Sequence, residues 1–100
     1  MESDLFDQIG QDLSGNKRSS ILGVPCFKIG RKPFLLFVKD QIVCKLYGEV
    51  NEEALQLPGA SFFSPMENAK PMKNWVQIPV EHADTWPFYA QLAYQFIKEE

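Results

Sequence analysis

The chain has 100 residues, of which 45% are hydrophobic and 13% aromatic, and its formal net charge is −3. This length predicts one domain, and such a chain buries roughly 65% of the surface that it exposes when unfolded. The high proportion of apolar residues excludes a disordered protein. The N-terminal segment "MESDLFDQIG" has neither a basic start nor an apolar run, and no stretch approaches the roughly 20 apolar residues that cross a bilayer, so we expect a cytoplasmic protein without membrane association.

The charges are unevenly distributed along the chain. Residues 17–73 carry nine of the ten basic residues and five acidic residues, whereas both flanking segments are acidic. A solvated sheet edge beside solvated helices explains this distribution, and a local basic surface that contacts nucleic acid is the alternative. The acidic total argues against tight binding driven by phosphate neutralisation.

The first predicted element is a helix over about residues 4–14. Ser3 or Asp4 can cap its N-terminus, and Gly15 follows its C-terminus, where a positive φ is common. Its apolar residues recur at helical spacing: Leu5, Phe6, Ile9 and Leu13. The segment "GNKRSS" that follows predicts a polar connector.

Three short runs rich in β-branched and aromatic residues come next, "PCFKIG", "PFLLFVK" and "QIVCKLYG". Turns at residues 30–32 and at Lys39-Asp40 separate them, which predicts an antiparallel meander with strand 34–38 in its middle. Because "PFLLFV" is apolar at every position, we expect both faces of this strand to be covered.

Cys26 and Cys44 are the only cysteines. In the meander they lie on strands that flank a third, about 9–10 Å apart, which is too far for a disulfide. We expect two buried reduced thiols, because no CxxC motif or second pair completes a metal site.

The segment "VNEEALQLPG" predicts a short helix. Asn51 can cap it, Glu52 and Glu53 suit the dipole of its first turn, and Pro58-Gly59 ends it. The runs "ASFFSPM" and "NWVQIPV" then predict a hairpin.

The second strand of this hairpin has two different faces. Val76, Ile78 and Val80 share one of them, while Trp75 and Gln77 share the other. A last helix is expected over 86–98, with Pro87 in its first turn. The predicted fold is therefore a single α+β domain of order αβββαββα, with a five-stranded antiparallel sheet and its helices mainly on one face.

Four motifs in chain order suggest a family. They are "GVPCFKIGRKPFLLF", "ALQLPGASFFSPM", "PMKNWVQIPVEH" and a final helix that opens with tryptophan, together spanning roughly residues 19–97. They resemble the small bacterial proteins related to the TfoX/Sxy N-terminal domain, and more loosely the YjbR/MmcQ-like group. The resemblance implies an αβββαββα regulatory or interaction module without catalytic residues. The chain departs from the family at Ile21-Leu22, where many relatives have Met-Phe, and lacks the C-terminal helical domain of full-length TfoX, which argues against a competence role.

Catalytic groups are not assembled by the sequence. His82 is the only histidine and has Glu81 and Asp84 beside it. We expect it to have a structural role near the start of the last helix rather than to act as a metal ligand or a general base. No serine has a histidine that the sequence places nearby. We therefore expect no enzyme, no cofactor and no small-molecule substrate.

A basic and aromatic cluster on the second hairpin is the candidate interaction patch, consisting of Trp75, Phe62, Phe63, Lys73 and Lys70. A candidate basic turn on the meander consists of Lys28, Arg31 and Lys32. Trp75 packing across the hairpin among ordinary lysines is one interpretation, and contact with a protein partner or a second copy is the other. Weak, salt-sensitive binding of nucleic acid through residues 17–73 is the alternative function. If Trp75 anchors an interface, Trp75→Ala is expected to shift association and leave the fold intact.

Overall fold

The computed structural model describes residues 2–15, 18–21, 23–64 and 72–99. The helices are α1 (Glu2–Ser14), α2 (Gly48–Leu55) and α3 (Trp86–Lys98), and a 3-10 helix (Val80–Thr85) leads directly into α3. The strands are β1 (Ser19–Ile21), β2 (Val24–Ile29), β3 (Lys32–Val38), β4 (Gln41–Lys45), β5 (Ser61–Phe63) and β6 (Met72–Ile78). The predicted α+β class is confirmed.

The strands form one antiparallel sheet in the order β1-β2-β3-β4-β6-β5. The predicted meander is β2-β3-β4, with β3 in the interior, and the predicted hairpin is β5-β6. The expected number of strands was wrong, because the described residues form six strands and not five.

The additional strand, β1, falls where a polar connector was expected. Ser19 pairs with Cys26 and Ile21 pairs with Val24, and the connection includes Gly23 with a φ of +81°. Both serines of β1 are exposed. A short strand at a sheet edge is held by main-chain hydrogen bonds to its neighbour, so it needs no alternation of apolar side chains.

The turn between β3 and β4 follows the prediction. Lys39 and Asp40 have φ values of 50° and 62°, and they connect the paired residues Val38 and Gln41. Two consecutive positive φ values define the type I′ hairpin turn, whose twist matches that of the flanking strands. The turn therefore fixes the register of this hairpin.

A bulge in β3 explains why its sequence is apolar throughout. Leu35 pairs with Phe27 and Pro33 pairs with Lys28, which leaves Phe34 without a partner on β2. At such a bulge, two residues of one strand lie opposite one residue of its neighbour. Phe34 and Leu35 therefore both belong to the core beneath the helices, whereas Leu36 contributes to the opposite face. β3 therefore carries apolar side chains on both faces, but among the described residues the helices cover only one of them.

The main core lies between the sheet and the helices α1 and α3. Its helical members are Phe6, Ile9, Trp86, Tyr89, Ala90, Ala93 and Ile97. Its strand members are Phe27, Phe34, Leu35, Ile42, Cys44, Val76 and Ile78. The prediction that the first and last helices pack on one face of the sheet is confirmed.

Helix α1 lies close to the sheet at Gly10. This residue is buried, and a methyl group built on its Cα would overlap the ring of Phe27. The ring of Phe6 also packs on Phe27, with centroids 5.0 Å apart. Glycine is therefore required here by the space available, although it lowers the helix propensity of α1.

Helix α2 differs from its prediction in where it begins. It starts at Gly48, so Asn51 lies inside the helix and is not its cap, and Glu52 and Glu53 follow the first turn. The buried amide of Asn51 donates hydrogen bonds to the carbonyl oxygens of Leu46, at 2.9 Å, and Lys73, at 2.8 Å. Asn51 thus joins α2 to β6.

The other helix predictions agree with the structure within about two residues, the usual uncertainty of helix ends. Helix α1 begins at Glu2 rather than near residue 4, and α3 covers the predicted range. None of the helices in the described part of the chain is long and apolar enough to cross a membrane.

Candidate functional site

The face of the sheet opposite α1 and α3 carries a second apolar cluster. Its buried members are Cys26, Leu36, Val43, Phe63 and Trp75, and Ile21, Val24 and Val38 pack against them. All eight residues lie on strands, whereas the helical residues of the described hydrophobic clusters all belong to the main core. We call the surface formed by these eight residues the open face.

The open face is concave. A depression of about 920 Å³ extends over it and is bordered at opposite edges by residues of β1 and β5. Its lining is Ile21, Val24, Pro33, Leu36, Val38, Lys39, Ser61, Phe62, Phe63, Ser64, Met72, Trp75 and Gln77. This lining is mostly apolar with a few polar groups, the composition that is common in binding sites.

Trp75 lies on the open face, as the alternation of β6 predicts. It pairs with Lys45 of β4, and the Lys45 ammonium lies 5.8 Å from the centroid of its ring. Only 7% of Trp75 and 7% of Phe63 are exposed, and both belong to the second cluster. Trp75 is therefore packed among apolar side chains, and the burial of its side chain gives it a role in stability.

The rest of the candidate interaction patch is only partly brought together. Phe62 is half-buried and lines the depression, and Lys73 is exposed near the start of β6. Lys70 lies outside the described residues. Met72, which the sequence analysis did not single out, is 40% exposed and also lines the depression.

The candidate basic turn lies at the end of the sheet near Lys73. Lys32 begins β3, Lys45 ends β4 and Lys73 lies near the start of β6, so the antiparallel pairing places these lysines at one end of the sheet. Arg31 and Lys32 are exposed.

Lys28 differs from the other two residues of the basic turn, because it lies beside Cys26 on the side of the open face. Burial raises the pKa of the Cys26 thiol, and the charge of Lys28 and a hydrogen bond with Ser19 oppose that shift. Lys28 therefore contributes a positive charge to the border of the open face.

Charge is separated between the two layers of the fold. The described strands and their hairpin turns carry six basic residues, Lys28, Arg31, Lys32, Lys39, Lys45 and Lys73. They carry one acidic residue, Asp40; every other described acidic residue belongs to a helix or directly follows one. The basic middle of the sequence thus forms the sheet, and most of the described acidic residues lie on the helices.

Lys39 and Lys45 are the basic residues of this surface that the sequence analysis passed over. Lys39 lines the depression, and Lys45 shares a face with Val43 and Gln41. The alternation in "QIVCK" already placed Lys45 opposite the core residues of β4. Between β4 and β6, the amide of Gln77 donates a 2.5 Å hydrogen bond to the side chain of Gln41.

The described residues do not assemble a metal centre, since no group of three His, Cys, Asp or Glu side chains could hold a metal ion among them. His82 lies in the 3-10 helix, where its Nε2–H donates a hydrogen bond of 2.8 Å to the carbonyl oxygen of Pro58. This agrees with a structural role near the start of α3.

The described titratable groups inside the fold also have structural roles. The hydroxyl of Tyr89 donates a 3.1 Å hydrogen bond to Glu53, and burial together with this bond raises the pKa of Tyr89. The thiols of Cys26 and Cys44 are both free and buried, on opposite faces of the sheet.

A smaller groove of about 320 Å³ lies on the helical side. Leu5, Ile9, Leu13 and Pro87 form its apolar part, and Gln8, Asp12 and Gln91 its polar part. Its volume is about one third of that over the open face. The open face is therefore the better candidate for a binding site.

The chain matches no protein-family model, no curated protein and no solved structure.

Proposed function

We propose that this chain is a non-catalytic interaction module that binds a protein partner on its open face. The observation that carries the proposal is the depression of about 920 Å³ over a cluster whose described members all lie on strands. Concave, mostly apolar linings with a few polar groups are common in binding sites. The resemblance to the TfoX N-terminal domain also implies an interaction module, and it stays a prediction.

The proposal assigns different roles to the residues of the surface. Trp75 and Phe63 are mostly buried, so they form the rigid floor of the site. Met72 is 40% exposed, and a flexible thioether side chain adapts to different partner shapes. We therefore expect Met72 and the half-buried Phe62, rather than Trp75, to make the main contacts with the partner.

Selection of a phage-displayed random peptide library on the native chain tests the proposal. Selected peptides are expected to shift the amide resonances of β3, β4 and β6, and to lose binding to the variant Met72→Glu. Phe88→Glu is the matched control, because Phe88 is a large apolar residue of α3 that is 55% exposed. If the selected peptides shift the resonances of α1 and α3, or bind Met72→Glu as well as the parent, the proposal is wrong.

A nucleic-acid-associated regulator is the second candidate function. The six basic residues of the sheet layer favour it, because nucleic acids bind to such surfaces through their phosphates. Titration of a labelled single strand at two salt concentrations tests it. Tight binding that persists at physiological salt would promote this candidate over the first.

A further inference from the structure

Resting on the proposed function, we infer that the partner segment is an acidic peptide that inserts aliphatic side chains into the depression of the open face. Charge complementarity and the shape of the lining carry this inference. The charges lie at the border of the site, and the apolar lining forms its floor.

Three described lysines lie at the border of the open face or near it. Lys39 lines the depression, Lys45 lies across from Trp75, and Lys28 lies beside Cys26. Among the described residues that line the depression, none is acidic. A partner with carboxylates beside its apolar residues is attracted to such a border, whereas a basic partner is repelled.

The same charges argue against a second copy of this chain as the occupant. A two-fold symmetric pairing of two open faces would bring the lysines of one copy towards those of the other. Like charges that face each other across an interface cost binding free energy. A different chain with the opposite charge avoids this cost.

The floor of the depression favours aliphatic side chains over nucleic acid bases. Binding of a single strand uses exposed aromatic rings on which bases stack. Trp75 and Phe63 are each only 7% exposed, and the Lys45 ammonium lies near the ring of Trp75. Ile21, Val24 and Val38 are half-buried at the border, where they can contact branched side chains of a partner.

Fluorescence anisotropy with synthetic peptides tests the inference. The probe is a short labelled peptide with a leucine-valine-isoleucine centre between glutamates, and its counterpart has glutamines in their place. At low salt the glutamate peptide is expected to bind roughly tenfold more tightly than the glutamine peptide, because the free energies of a few partly screened ion pairs add to this difference. The ratio is expected to fall towards one at high salt.

Variants of the chain locate the effect. Lys39→Gln and Lys45→Gln are each expected to reduce the preference for the glutamate peptide, whereas Lys98→Gln on α3 leaves it unchanged. Met72→Glu is expected to weaken binding of both peptides.

Each contrary result has one meaning. Equal binding of the two peptides, lost in Met72→Glu, overturns the acidic partner and leaves the proposed function standing. Failure of both peptides overturns the inference, and failure of the random library to yield any ligand of the open face overturns the proposed function as well. If an oligodeoxythymidylate binds in place of the peptides and loses binding in Met72→Glu, the surface takes nucleic acid and the inference is wrong.

Discussion

The ammonium group of Lys45 lies 5.8 Å from the centroid of the Trp75 ring, and the two residues are directly paired between β4 and β6. The same ammonium lies 6.0 Å from the centroid of the Tyr47 ring. A cation near an aromatic face contributes about 0.5–1 kcal/mol at an exposed site. This pairing places a positive charge of the open face beside the ring of Trp75.

Truncation of Trp75 is expected to destabilise the fold as well as to alter binding. Because the ring is 93% buried, as its 7% exposed fraction shows, Trp75→Ala should lower the free energy of unfolding by about 2–4 kcal/mol, and Trp75→Phe by less. Urea denaturation followed by circular dichroism measures both. A change below about 0.5 kcal/mol in Trp75→Ala would contradict its role as the floor of the open face.

The contact between Lys45 and Trp75 can be measured separately by a double-mutant cycle. Lys45→Met combined with Trp75→Leu is expected to reveal a coupling free energy of about 0.5–1 kcal/mol. Lys32→Met, in an exposed position at the same end of the sheet, is the control and should show no coupling to Trp75.

Gly10→Ala is expected to destabilise the chain, although alanine ordinarily stabilises a helix. At an exposed helical position this change contributes about 1 kcal/mol in favour of folding. Here the new methyl group would overlap the ring of Phe27, so we expect a net loss of about 1–3 kcal/mol. Thermal unfolding measures it, with Gln11→Ala at an exposed position of α1 as the control.

A second substitution tests the cause of that loss. Phe27→Leu in the Gly10→Ala background is expected to cost less than Phe27→Leu alone, because the smaller side chain makes room for the methyl group. A higher melting temperature for Gly10→Ala than for the parent chain would show that α1 moves away from the sheet easily.

Asn51→Ala is expected to lower the free energy of unfolding by about 1–3 kcal/mol. It removes the hydrogen bonds that the side-chain amide donates to the carbonyl oxygens of Leu46 and Lys73, and the loss of hydrogen bonds at buried polar groups is costly. Asn51→Asp should cost more at neutral pH, since a carboxylate would face two carbonyl oxygens. Urea denaturation compares the two, with Glu52→Ala as an exposed control on α2; equal stability of Asn51→Ala and the parent would contradict the role of Asn51 in joining α2 to β6.

Alkaline pH is expected to destabilise the fold through its buried thiols. Burial raises the pKa of Cys44 above its ordinary value of 9.0. Above about pH 9 the folded chain keeps the proton of Cys44 and the unfolded chain loses it, so the contribution of this thiol to the free energy of unfolding is constant below about pH 9 and decreases above it. Tyr89, whose pKa burial and Glu53 also raise, adds to the loss above about pH 10.

Urea midpoints at about pH 7, 9 and 10 measure this dependence. Cys44→Ala is expected to lower the midpoint at pH 7 because it leaves a cavity, and to reduce the further decrease between pH 9 and 10. Cys26→Ala is expected to reduce that decrease by less, since Lys28 opposes the shift at Cys26. The same slope in Cys44→Ala and in the parent would show that another group causes it.

The sequence by itself determined the elements whose signals are local. Lys39-Asp40 occupies a two-residue turn between two predicted strands, and its two positive φ values are the geometry that such a turn requires. The apolar stripes of α1 and α3 and the alternation in β6 also predicted which side of each element is buried. From the alternation alone, Trp75 could be placed opposite Val76 and Ile78.

Only the tertiary structure decided the features that depend on distant main-chain groups. β1 exists because β2 offers it hydrogen-bonding partners, and its serines give no hydrophobic signal. Asn51 was expected to be a cap, but one of its acceptors belongs to Lys73, 22 residues away, a partner that no local pattern reveals. The approach of Lys45 to the ring of Trp75 likewise results from β4 and β6 lying side by side, because the pairing of strands that are far apart in sequence depends on the packing of the whole sheet.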